Sequence, residues 1–121
     1  MGILQGTKIR EILEEFYAGL ADNPDLCVTF GIPPGDIWIQ VVRDALNMAW
    51  PFDQAAAAQL EKKLAARLSH CQMISLDVGV FVTFEIERPS VIQMADILDG
   101  LFTDVYKLSH DYQFESDIDS L

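Results

Sequence analysis

Apolar residues recur at helical spacing near the start of the chain. Ile9, Ile12, Leu13, Phe16, Tyr17 and Leu20 fall at i, i+3, i+4, i+7, i+8 and i+11, one face of a helix that Thr7 opens. Lys8, Arg10, Glu11, Glu14 and Glu15 occupy the opposite face. Asp22-Asn23-Pro24 ends the element, because a residue before proline avoids helical backbone angles. The period then drops to two: Leu26, Val28, Phe30 and Ile32 alternate with Cys27, Thr29 and Gly31, as in a strand with one buried face. Pro33-Pro34-Gly35-Asp36 marks a turn, and Ile37 to Val42 resumes the extended pattern, so the two runs predict a hairpin. A tight turn at Arg43-Asp44 then leads to a third strand, Leu46 to Trp50, with Leu46, Met48 and Trp50 on one side. The residues from Val41 to Met48 also fit a short helix.

Asp53 has the side chain of an N-cap for a second helix, Gln54 to Leu68, whose apolar stripe is Ala57, Leu60, Leu64 and Leu68. Glu61, Lys62, Lys63 and Arg67 face water. Cys71 to Glu87 predicts two antiparallel strands joined at Asp77-Val78-Gly79; in the second, Val80, Val82, Phe84 and Ile86 oppose Phe81, Thr83, Glu85 and Glu87. Ser90 and Gln93 have capping-box spacing at the start of a last helix, with a core face of Val91, Met94, Ala95, Leu98, Leu101, Phe102, Val105 and Tyr106. The acidic tail, 112–121, is expected to fray. The order α-β-β-β-α-β-β-α, without repeat or linker, predicts one α+β domain over 1–121, with a layer of helices on an antiparallel sheet.

Half of the 121 residues are apolar and 22% are charged, far from the mixture that keeps a chain disordered. No apolar run is long enough to span a bilayer, and the N-terminus lacks the apolar stretch of a secretory signal, so a cytoplasmic protein is expected. Gly2 to Thr7 fits the loose N-myristoylation pattern, with no basic cluster beside it to support membrane attachment. Nineteen acidic residues against eight Lys and Arg give a net charge of −11, which argues against nucleic acid and anionic membrane and favours basic partners. From Asp77 onward ten acidic residues face only Arg88 and Lys107.

The motifs of catalysis are missing. His70 adjoins Cys71, but neighbours on a strand point to opposite faces, which works against a nucleophile–base pair. Cys27 and Cys71 read as buried hydrophobes. No zinc-ligand spacing occurs; Glu115, Asp117 and Asp119 alternate without the glycine and final glutamate of a calcium loop; the glycines at 31, 35, 79 and 100 stand singly, so no loop cradles a phosphate. The expectation is a non-enzymatic chain without metal or cofactor.

What the pattern leaves over is apolar surface. With Ile37, Ile39 and Val41 turned to the helices, Trp38 and Val42 leave from the other face, as does Phe81, and Ile92 and Ile97 lie beyond the core stripe of the last helix. These five are the candidate partner-binding residues; the alternative for the sheet's aromatic face is that dimerisation or the chain tail, including Phe114, covers it. The segments IWIQVVRDALNMAWPF, VGVFVTFEIERPS and ILDGLFTDVYKLSHDY, within a stretch from Thr7 to about Tyr112, resemble the class I type III secretion chaperones and the related YbjN-type domains. Where those chaperones often carry an asparagine after the second helix, Ser69-His70-Cys71 stands here. The resemblance implies a homodimer that holds an extended segment of another protein. An acidic inhibitor or immunity protein that masks a basic partner, or a small-molecule-binding regulator, are the alternatives.

Overall fold

The computed structural model describes residues 3–120, with side chains from Gln5 onward; Gly2 of the myristoylation pattern and Leu121 lie outside the described residues. Helix α1 (Ile3–Leu20) is followed by strands β1 (Leu26–Ile32), β2 (Ile37–Val42) and β3 (Ala45–Ala49), then helix α2 (Gln54–Ala65). Strands β4 (Cys71–Asp77) and β5 (Phe81–Ile86), helix α3 (Val91–Gly100), a π-helical turn (Leu101–Val105) and strand β6 (Glu115–Ser120) complete the chain. The six strands form one antiparallel sheet in the order β4-β5-β3-β2-β1-β6.

The helices lie against one face of this sheet. Val28, Phe30, Ile39, Val41, Leu46, Met48, Val82, Phe84 and Ile86 point into them and are buried, while Ile9, Leu13, Phe16 and Leu20 of α1 and Met94, Leu98 and Phe102 close the core from above. Strand alternation therefore fixes both faces of the sheet at once. The helix option for 41–48 is overturned in favour of the hairpin: Ile39 to Val42 pairs with Met48 to Ala45. Positive φ at Gly35 (117°) and Gly79 (85°) lets the β1–β2 and β4–β5 turns close, a conformation side-chain-bearing residues resist.

Asp53 caps α2 by accepting the Ala56 N–H at 2.8 Å, and Ser90 caps α3 by accepting the Gln93 N–H at 3.2 Å. The second half of the expected capping box is replaced, since the Gln93 amide instead donates to the Arg67 carbonyl at 2.5 Å and ties α3 to the end of α2. Tyr106 donates its hydroxyl to the Ala49 carbonyl, and Gln5 donates to the Tyr112 carbonyl at 2.9 Å, joining α1 to the tail.

Three expectations are corrected. The tail does not fray over 115–120: it forms β6, pairing with β1 from Leu26↔Ser120 to Gly31↔Glu115, because Ile118 on one side and Phe114 before it pack on the core, Phe114 with its ring 5.7 Å from Phe30. Ile97 is not surface but core, 2% exposed, because α3 is flanked by helices and buries a wider arc than a single stripe; Leu60 and Leu64 of α2 line the same groove. Val80 falls in the β4–β5 turn rather than on the core face of β5 and is 56% exposed.

Candidate functional site: the open face of the sheet

The outward side chains of the six strands form three rows across the sheet, because paired residues project to the same side. Continuing each printed register by a residue where a strand ends, the first row is Glu115, Gly31, Trp38, Ala49, Phe81 and Asp77. The second is Asp117, Thr29, Gln40, Asn47, Thr83 and Ser75, and the third Asp119, Cys27, Val42, Ala45, Glu85 and Gln72. Two rows are thus apolar at their centre and the row between them is polar.

The polar row is a hydrogen-bonded ladder. Thr83 donates to Asn47 Oδ1 at 2.7 Å, Asn47 donates to Gln40 Oε1 at 3.4 Å, and Gln40 donates to Thr29 Oγ1 at 3.4 Å. Each amide is held by two neighbours, which fixes the rotamers on a surface that no helix covers. Trp38, Val42 and Phe81, the three candidates expected on this side, are all here and half-buried. Trp38 and Phe81 flank Ala49, which is 4% exposed, and Val42 lies beside Cys27, 5% exposed. The small residues are sealed and the large ones form the accessible apolar surface.

Carboxylates frame the face. Glu115, Asp117 and Asp119 end the three rows on the β6 side, and Asp77 and Glu85 stand on the β4–β5 side, where His70 Nε2 contacts Glu85 Oε1 at 3.0 Å. No Lys or Arg occupies an outward position on any of the six strands. A groove of about 560 Å³ lies at Gly31 where β1 and β6 meet the β1–β2 turn, lined by Thr29, Ile32, Pro33-Pro34-Gly35, Glu115, Ser116 and Asp117. Alternation in Glu115-Ser116-Asp117-Ile118-Asp119 was the sequence signal for these carboxylates, with Ile118 as the inward residue that makes the run a strand.

Ile92, the remaining candidate, is 66% exposed but stands apart from this face, beside Gly6, Arg10 and Asp99 between α1 and α3. Among the described residues, Ile74, Val78 and Val80 are the other large exposed apolar side chains, gathered at a β4 bulge and the β4–β5 turn.

The thiols are placed for burial rather than attack. Burial first, and then the Glu61 carboxylate, push Cys71 up to about 11, and burial followed by Asp119 raises Cys27. Both shifts run opposite to what a nucleophilic thiolate requires. Among the described residues, no group of three or more His, Cys, Asp or Glu could hold a metal ion, and no helix is long and apolar enough to cross a membrane. Comparison with protein families, with characterised proteins and with solved structures returns no match.

Proposed function

We propose that this chain is a non-catalytic protein-binding domain that holds a segment of a partner across the open face of its sheet, in the manner of a secretion chaperone. The observation that carries the proposal is a sheet covered on one side only, whose other side presents Trp38 and Phe81 in one row and Val42 two rows away, on a scaffold fixed by the Thr29–Gln40–Asn47–Thr83 ladder. Aromatic side chains on a rigid, uncovered surface are what a contact site needs, since they contribute much area at little entropic cost. Self-association into a homodimer belongs to the same proposal and is supported by apolar side chains outside that face, Ile92 on α3 and Ile74, Val78 and Val80 at the β4–β5 corner.

The test is capture of the partner from the native host with the wild-type chain and with a Trp38→Ala, Phe81→Ala variant, followed by mapping of the bound segment. An extended segment lost by the variant supports the chaperone-like mode. A folded basic enzyme points instead to an acidic inhibitor, which the carboxylates around the same face would suit. Capture that is indifferent to both substitutions removes the open face from the proposal, and capture of no protein at all leaves the small-molecule regulator.

A further inference from the structure

The trough at Gly31 gives the open face a shape and a charge that its apolar pair alone does not. Gly31 stands between its cross-strand partners, Glu115 on β6 and Trp38 on β2. With neighbouring strands about 4.8 Å apart, those two side chains leave the sheet roughly 10 Å from one another across a floor without a side chain. Packing does not require the glycine. A Cβ built on it meets nothing nearer than the Ile37 carbonyl oxygen at 4.0 Å, and its φ lies outside the left-handed region. The result is a groove with carboxylates on one strand and backbone beneath, and Trp38 leaves the sheet from the next strand, opposite Gly31.

We infer that this slot receives an arginine or lysine side chain from a cationic segment of the partner, its charge paired with Glu115 and Asp117 and its guanidinium plane or stem laid against Trp38. This rests on the protein-binding proposal for the same face and names the partner's chemistry. Carboxylates and an indole attract the same cationic group, the first through charge-assisted hydrogen bonds and the second through its ring face. Apolar residues of the segment would then meet Trp38 and Phe81 over Ala49, with Asp77 at the far end of the row. A second copy of this chain does not suit the face, because two opposed sets of the five carboxylates would meet with no Lys or Arg between them, and like charges across an interface oppose association.

The experiment titrates isotope-labelled protein with a short peptide alternating arginine and leucine, and with counterparts carrying serine or glutamate in place of arginine. The expected result is that the arginine peptide binds at least about tenfold more tightly than either counterpart, with shifts centred on Gly31, the Trp38 indole, Glu115 and Asp117. Its affinity should fall as salt is raised. Gly31→Val, which fills the slot at a position that tolerates a side chain, should abolish that preference while leaving the urea midpoint near the wild-type value. If that variant does not fold, the paired Glu115→Gln, Asp117→Asn change, at exposed positions, should remove the preference and flatten the salt dependence.

Equal affinity for the arginine and serine peptides, shifts remote from the slot, or an unaltered preference in the carboxylate variant overturns the inference while the protein-binding proposal stands. Failure of every peptide to bind also overturns it; the open face falls as the binding surface if the Trp38→Ala, Phe81→Ala variant captures the native partner unchanged, and the protein-binding proposal itself falls only if no protein is captured. A dimer that dissociates on Trp38→Ala assigns the face to a second copy and overturns the inference too.

Discussion

Trp38 on β2 and Trp50, the residue that follows β3, play opposite parts. Trp50 is 1% exposed, donates its indole N–H to the Asp53 carbonyl at 3.0 Å and packs edge-on to Phe52 with ring centres 5.0 Å apart, whereas Trp38 is half-buried on the bare side of the sheet. Trp38→Ala should therefore lower partner affinity by on the order of 2 kcal/mol and move the urea midpoint little. Trp50→Ala should cost about 3–5 kcal/mol of stability. Urea midpoints beside partner affinities for the two variants check both, and a large stability loss at Trp38 would mean that its side chain supports the core. Period-two alternation was enough to place both indoles from sequence, because a strand offers only two directions. Ile97 was misplaced because a helix offers a continuous circle: the width of the buried arc depends on how many neighbours flank α3, and that is a tertiary fact. Val80 was misplaced by one residue of strand boundary, the quantity that pattern alone fixes least.

At the level of elements, the sheet's two edges are protected by different means. On β4 the outward N–H of Met73 is taken by the Glu61 carboxylate of α2 at 2.5 Å, and the ladder to β5 is interrupted by a bulge between Met73 and Ser75. Replacing Glu61 by alanine should leave that N–H without its partner and free the edge, so the variant should lose about 1 kcal/mol or more of stability and self-associate more strongly at high concentration. Light scattering and urea unfolding measure the two effects. Glu61→Gln keeps an acceptor but removes the charge, so the Cys71 thiol should move down from about 11 while burial, the larger cause, still holds it above its ordinary value of 9.0. The rate of Cys71 alkylation against pH, with Cys27 replaced by serine, reads that shift. On the other edge β6 relies on carboxylates. Removing 115–121 should expose β1 as the new edge, uncover part of the Val28 and Phe30 packing and lower the urea midpoint. The hairpin strands and the helices were legible because each carries its own period. β6 was not, since a run of alternating carboxylates with one isoleucine reads as solvated charge until β1 is there to pair with it.

For the molecule as a whole, both thiols and all three phenols are buried or half-buried, Cys27 on the open face and the others against the core, and this has a consequence at alkaline pH. Burial is the first cause of a raised value at Cys27, Cys71, Tyr17, Tyr106 and Tyr112, with Cys71 pushed up to about 11 and Tyr17 to about 12. Arg88, 4.7 Å from the centre of the Tyr17 ring, works in the opposite sense there but is the smaller influence. For Tyr112 the hydrogen bond from its hydroxyl to Asp99 at 2.7 Å adds to burial. Each of these groups is neutral when protonated, and its folded value lies above its unfolded one, 9.0 for the thiols and 10.0 for the phenols. Between the two values the unfolded chain has released a proton that the folded chain retains, so unfolding becomes easier as pH rises. The stabilising contribution is complete below the unfolded values and is lost from about pH 9 upward, through about 11 for Cys71 and about 12 for Tyr17. Urea midpoints should therefore be level from neutral pH to the onset of this window and fall steadily above it, with tyrosinate absorbance appearing together with unfolding rather than before it. Tyr17→Phe offers an internal control. Its hydroxyl is buried without a hydrogen-bond partner, so its removal should leave the neutral-pH midpoint unchanged or raise it slightly, and should reduce the alkaline slope. A steep fall in stability at neutral pH for this variant, or tyrosinate absorbance that precedes unfolding, would show that the phenols are not held in the buried, protonated state from which the alkaline slope derives.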